Sequence, residues 1–398
     1  MTINKTSGDP LSFQNDIESE FGDNPKRSLG SYRNTDADFK NKDLGDLSDL
    51  PLDTGIPTSG EIKFSDFYGK KLNMVVDYYA DTGSEDGEAD NILNREDDGA
   101  NTMAATWRYN NQSERVKVVG GYRSRPTGNV SNTYNLTSSS WQGGKKVFIN
   151  VNKSIGGEKS SATDNNAQQS DRRKVALRTG VWPSNTTLNI DIGGTGRIQG
   201  AGGNGKKGNT SSGTPDRAFT GTAGLGVEYP AAISNNGIIR CGYGGGGGGA
   251  GSNSDPNKNP RDFGRSGGGG GGGAGIPVGF GGPENAGGYG NCSKGKDLSD
   301  QAGIGKAGGD ATFDTNGTGG DGGNHGEGGG EAGDGGNGAD KNDAATSGSA
   351  GDPNAGAGGQ PGYNGYGIVF SSNSVQTNST GNKTVGADNG GVHVGNVI

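Results

Sequence analysis

Residues 236–251 read NGIIRCGYGGGGGGAG, and residues 267–273 are glycine throughout. These two runs decide the fold of the half of the chain that contains them. A segment without side chains buries almost no apolar surface, so only backbone hydrogen bonds to other segments can order it. A collagen triple helix is excluded, because glycine is not placed strictly at every third position and proline is scarce. A flexible linker would explain the glycine but not the length, the tyrosines or the turn-like interruptions. What remains is a bundle of extended left-handed helices of polyproline II geometry, with about three residues per turn and about 3.1 Å of rise per residue. Such helices have no internal hydrogen bonds and must bond to their neighbours. Side chains would hold interior helices apart, so Gly244–Gly249 and Gly267–Gly273 are expected inside. Mixed steps such as Gly319-Gly320-Asp321-Gly322-Gly323 are expected outside. Glycine loses the most backbone entropy on ordering, so the lattice has to be dense.

Outward from these runs the composition changes. Of the 85 glycines in 398 residues, about 60 lie between Gly193 and Gly367. With 27% hydrophobic residues, one large apolar core is ruled out. The net charge of -8 argues against a nucleic-acid partner, which demands a basic face. The basic pairs Lys70-Lys71, Lys145-Lys146 and Lys206-Lys207 and the triplet Arg172-Arg173-Lys174 are scattered among acids and read as solvated surface. The polar start MTINKTSGDP and the lack of any apolar run of roughly 18 residues predict neither a secretory signal nor a membrane span.

In residues 1–70, Ser12 is placed to cap a short helix with Phe13, Ile17 and Phe21 on one face and Gly22 at its end. The phrases RSLGSY (Arg27–Tyr32) and IKFSDFYG (Ile62–Gly69) each read as a one-turn helix with an aromatic stripe that asks for a partner. From 71 to 192 the pattern has period two. Leu72–Tyr79, Val116–Tyr122, Lys146–Asn152, Lys174–Arg178 and Thr187–Ile192 read as strands of a small sandwich or barrel. Trp107, Trp141 and Trp182 serve it as packing or as a platform for sugars. The expected class is mainly β and irregular. It comprises short-helix modules (1–70), a β-sandwich-like domain (71–192), a polyglycine II bundle (193–367) and a terminal β segment (368–398).

Catalytic and metal chemistry find little support. Gly200–Lys206 imitates a phosphate loop, but Lys207 stands where Ser or Thr would hold magnesium, and no helix pattern follows. Gly335–Asp340 begins like a calcium-binding nonapeptide, yet Asn342 takes the apolar position. Calcium at Asp321, Asp334 and Asp340, and ice binding, stay as minor alternatives. His325 and His393 have no neighbouring nucleophile, and Asp97-Asp98 sits among many solubilising acids. No enzyme activity, cofactor or metal is expected.

LSFQNDIESEFG (Leu11–Gly22), RSLGSY and IKFSDFYG resemble modules of bacteriophage tail-fibre and related structural proteins. The glycine half is similar to the glycine-rich adhesins that tip such fibres. It includes the lead-in Asn236-Gly237-Ile238-Ile239-Arg240 before the run and, more loosely, Thr195-Gly196-Arg197-Ile198 before Gly200. The resemblance implies a virion tail protein, assembled in the host cytoplasm, that binds a host outer-surface receptor, either a polysaccharide or an outer-membrane protein. It implies contact with other tail proteins through the N-terminal region and leaves a homo-oligomer open. The alternative is a structural fibre or spacer without receptor contact. A cytoplasmic route would leave Cys241 and Cys292 reduced, and their pairing stays open.

A bundle with almost no side chains must carry its chemical information in the connecting segments. Arg and aromatic residues favour contact because they bury much area with few torsions. The candidates are Asn259, Arg261, Phe263 and Arg265 in Ser252–Ser266; Phe280 and Tyr289 in Ile276–Tyr289; Phe313 in Ala311–Thr318; and Tyr363. Plugging the bundle ends is the competing role, with equal claim for Phe280 and for Tyr366.

Overall fold

The three N-terminal phrases form helical turns at Phe13–Phe21, Leu29–Tyr32 and Phe64–Phe67 in a computed structural model of the chain. The structure describes residues 3, 5–21, 28–32, 53, 55–78, 106–109, 116–120, 132–135, 144–160, 174–179, 185–208, 217–227, 229–250, 268–282, 309–310, 312, 314–315, 317–319, 336–337, 343–344, 346–350, 358–370, 392–394 and 396–397. Ser12 caps as expected, its hydroxyl accepting from the Asn15 amide at 3.1 Å. The aromatic stripes bury one another rather than waiting for a partner. Ile3, Ile17, Phe21, Tyr32, Ile56, Phe67 and Leu72 make one core, with the Tyr32 and Phe67 rings edge to face at 6.1 Å. Each phrase is too short to cover its own stripe, and the three together are long enough. Glu20 fastens this module to the next. Its fully buried carboxylate accepts from the Leu72 amide at 2.8 Å and pairs with the Lys145 ammonium at 3.1 Å.

The strands are β1 (Met74–Tyr78), β2 (Thr106–Tyr109), β3 (Val116–Gly120), β4 (Asn132–Asn135), β5 (Lys146–Val151), β6 (Ser154–Ile155), β7 (Val175–Arg178), β8 (Thr187–Ile192), β9 (Arg197–Gln199), β10 (Ala223–Val227), β11 (Ala231–Asn235), β12 (Ile238–Arg240), β13 (Tyr366–Phe370), β14 (Val392–Val394) and β15 (Asn396–Val397). They do not pair as a sandwich of antiparallel sheets. Apart from the pairs β1–β3 and β2–β4, every ladder is parallel. The chain climbs a three-sided coil. β5, β8 and β11 lie side by side on one face, β6, β9, β12 and β14 on a second, and β7, β10, β13 and β15 on a third. Strands on both sides of residue 193 share every face.

Like residues stack from turn to turn. Ile149 pairs with Ile190 and that with Ile233; Ile155, Ile198 and Ile239 line the second face; Leu177, Leu225 and Ile368 line the third. Most of these point inward and form one apolar core. The corner between the first two faces has no room for a side chain. A Cβ on Gly237 would lie 2.2 Å from the Gly196 carbonyl, and one on Gly196 would lie 2.1 Å from that of Val151.

The chain leaves the coil at the same corner, between the second and third faces, after β6, after β9 and after β12, each time with glycine close behind the strand. Outside the coil, extended segments lie side by side and bond in steps of three residues. The amides of Gly200, Gly203 and Lys206 donate to the carbonyls of Arg240, Tyr243 and Gly246. Those of Tyr243, Gly246 and Gly249 donate to Ala274, Gly271 and Gly268, and those of Gly359, Gly362 and Gly365 to Gly248, Gly245 and Gly242. The buried segment 242–250 is thereby enclosed by 200–208, 217–222, 268–276 and 358–365, and further by Gly336 and Thr346.

Candidate ligand-contact surface of the glycine bundle

The hydrogen-bond register fixes which segment ends coincide. Lys206, Gly268, Ser349 and Gly359 bond to residues within Gly246–Ala250, the half of the central segment farther from the sheets, and Ala218 and Gly282 bond in turn to Gln360 and Gly270, so all belong to the remote end. Gly208, Arg217, Ala250, Gly268, Gly282, Ala350 and Gly358, the described residues that border the connections 209–216, 251–267, 283–308 and 351–357, therefore lie toward that end. Asn259, Arg261, Phe263, Arg265 and Tyr289 belong to those connections and lie outside the described residues, as do Phe313 and Cys292.

Two expected contact residues are described. Phe280 is 41% exposed on the outer segment 277–282. It does not plug the bundle; its amide donates to the Asn204 side chain at 2.9 Å, and the Lys159 ammonium sits 3.4 Å above its ring centre. Burial pushes the Lys159 ammonium down to about 8, against the opposing charge of Asp310. Asp310 itself accepts from the Gly281 amide at 2.7 Å. Tyr363 is half-buried, with the Arg217 guanidinium 4.3 Å from its ring centre and held by the Pro361 carbonyl at 2.6 Å and the Gln360 side chain. Tyr366 lies on β13, inside the sheet edge rather than in a connection.

The described residues of the segment Ala311–Thr318 reach the coil. Thr312 and Thr315 close a turn through a 2.8 Å backbone bond. Asp314 in that turn is gripped on the second face of the coil by Arg197, at 3.0 and 3.1 Å, and by Arg240. Burial works to raise the Asp314 carboxyl, and the bonds and charges of the two arginines outweigh it, holding it below the usual range. Asp314 is thus tied to the sheets through the second face of the coil.

Sequence reasoning missed Lys159, Asn204, Phe219 and Arg217. Their signal was present in part: Gly156-Gly157 follows Ile155 just as glycine follows Ile198-Gln199, and marks a third excursion at the same corner. Cys241 is buried against Tyr243 and Ala274. Among the described residues, no group of three or more His, Cys, Asp or Glu side chains is gathered as a metal site would require.

No family model and no curated protein matches the chain. Among solved structures it is similar to the gp37-gp38 adhesin tip complex of the bacteriophage S16 long tail fiber, at 18% identity and a TM-score of 0.34, over 80% of this chain and 84% of that one. A likeness of that degree transfers no function from one chain to the other.

Proposed function

We propose that this chain is a non-enzymatic adhesin of a bacteriophage tail, in which a polyglycine II bundle holds receptor-contacting loops at one end. In this reading the N-terminal module joins other tail proteins, and the ligand is a host-surface polysaccharide or outer-membrane protein. The observation that carries it is that Lys206, Gly249, Gly268 and Gly359, described residues close to the ends of successive glycine-rich segments, bond at the end of the bundle remote from the sheets. The three-residue bonding step between extended segments is what polyglycine II geometry requires. A rigid lattice with chemically rich, length-tolerant loops at one end is a means of varying specificity without altering the scaffold.

The test is adsorption. Particles carrying Arg261→Ala, Phe263→Ala and Arg265→Ala together are expected to incorporate the protein normally and lose binding to host cells. Normal adsorption would favour a spacer or fibre segment instead.

A further inference from the structure

Three cation-aromatic pairs sit on neighbouring outer segments of the bundle. Lys159 covers Phe280, Lys206 lies 5.6 Å from the Phe219 ring centre, and Arg217 covers Tyr363. Hydrogen bonds put their segments in one row. Gly205 donates to the Phe280 carbonyl, Phe219 to the Asn204 carbonyl, Ala218 to Gln360 and Gly221 to Tyr363. Asn204 is the hinge of the row, since its side chain also takes the Phe280 amide and lies 3.4 Å from the Lys159 ammonium. The rings and cations are half-buried or exposed, whereas the segment behind them, 242–250, is buried throughout. Lys207, exposed, adds a further positive charge beside Lys206. Among the described residues, the carboxylates nearby are Asp310, which holds the Gly281 amide, and Glu158, which pairs with Lys174 at 3.3 Å.

We propose that this row, on the outer segments of the bundle and reaching Lys206 and Lys207 at its remote end, is a contact strip for an anionic polysaccharide. The proposal rests on the surface-binding reading above and names a ligand class for it. Aromatic faces stack on the apolar faces of pyranose rings, while ammonium and guanidinium groups pair with carboxylate or phosphate substituents. The chain carries a net charge of -8, so a local cluster of four cations beside three rings stands out against its field. A protein partner would ask for a continuous desolvated patch, whereas alternating rings and cations on successive segments suit a linear charged chain.

The full chain is run in native gels containing polygalacturonate or, separately, neutral dextran. Retardation is expected in polygalacturonate, weakening as salt is raised, with none in dextran. Lys206→Gln with Phe280→Ala is expected to weaken the retardation about tenfold or more, from one lost charge and one lost stacking face. Lys207→Glu, an exposed change that leaves packing intact, is expected to weaken it as well. Absence of retardation, equal retardation in dextran, or wild-type behaviour of both variants overturns the strip. The Arg261, Phe263 and Arg265 triple variant separates the two readings. Retained retardation places the glycan contact on the row, and its loss moves that contact to the loops.

Discussion

The buried ion pair Glu20–Lys145 joins the N-terminal module to the coil. Glu20 and Lys145 have side chains 0% and 2% exposed, and the pair is reinforced by the Leu72 amide. Burial already pushes the Lys145 ammonium below its ordinary value, with Glu20 opposing that shift. Removing the carboxylate takes away the buried countercharge of Lys145, which costs about 3 to 5 kcal/mol, whereas an exposed pair would contribute under about 1 kcal/mol. Glu20→Ala is therefore expected to lower stability by that amount in urea unfolding. Lys63→Ala, which removes an exposed partner of Glu61, is expected to leave it nearly unchanged. A loss under about 1 kcal/mol for Glu20→Ala would show that water reaches Lys145. Nothing in the sequence announced this pair, because its members are far apart in the chain and each has the composition of a surface residue.

At the scale of elements, the glycine runs obey a steric rule that can be broken one methyl at a time. A Cβ on Gly247 would lie 1.9 Å from the Gly359 carbonyl oxygen, and one on Gly270 would lie 2.0 Å from that of Gly246. Both obstacles are backbone, so no rotamer change relieves them. Gly247→Ala and Gly270→Ala are each expected to cost about 1 to 3 kcal/mol or more and to open the bundle to protease. Unchanged melting and protease resistance would remove the interior placement. The strands were legible by alternation: the runs at 72–79, 116–122, 146–152, 174–178 and 187–192 contain β1, β3, β5, β7 and β8. Their parallel pairing was not, because inward-facing residues alternate with the same period in either sense. β6, β9 and β12 are too short to alternate, and the glycines of β10 hide it within a run that reads as bundle. The recurrence of Ile155, Ile198 and Ile239 before glycine was the trace of the coil.

For the whole molecule, in the function proposed above, attachment to a particle falls to what the N-terminal module still exposes. Phe64, 42% exposed, is the large apolar residue left on its described surface, since Phe13, Phe21, Tyr32 and Phe67 pack together. Removing residues 1–70 would strip Lys145 of Glu20 and so confuse attachment with folding. Phe64→Glu is the cleaner change. It is expected to leave the melting curve intact while the protein disappears from purified particles, and undiminished incorporation would assign attachment elsewhere. The candidate surface was legible only as residue types in glycine-rich loops. Its assembly from residues 159, 204, 217, 219, 280 and 363 depends on the order of segments around 242–250, and that order follows from hydrogen-bond register.

That register also has a mechanical meaning. Bonds between neighbouring segments run across the long axis of the bundle, from Gly203 to Tyr243, from Gly246 to Gly271 and from Gly362 to Gly245. A pull applied at the remote end, directed away from the sheets, loads these bonds in shear. They resist together, where a peeling force would break them one after another. A tether of this construction transmits tension from its tip to the coil without lengthening, although it contains hardly any side chains to hold it together.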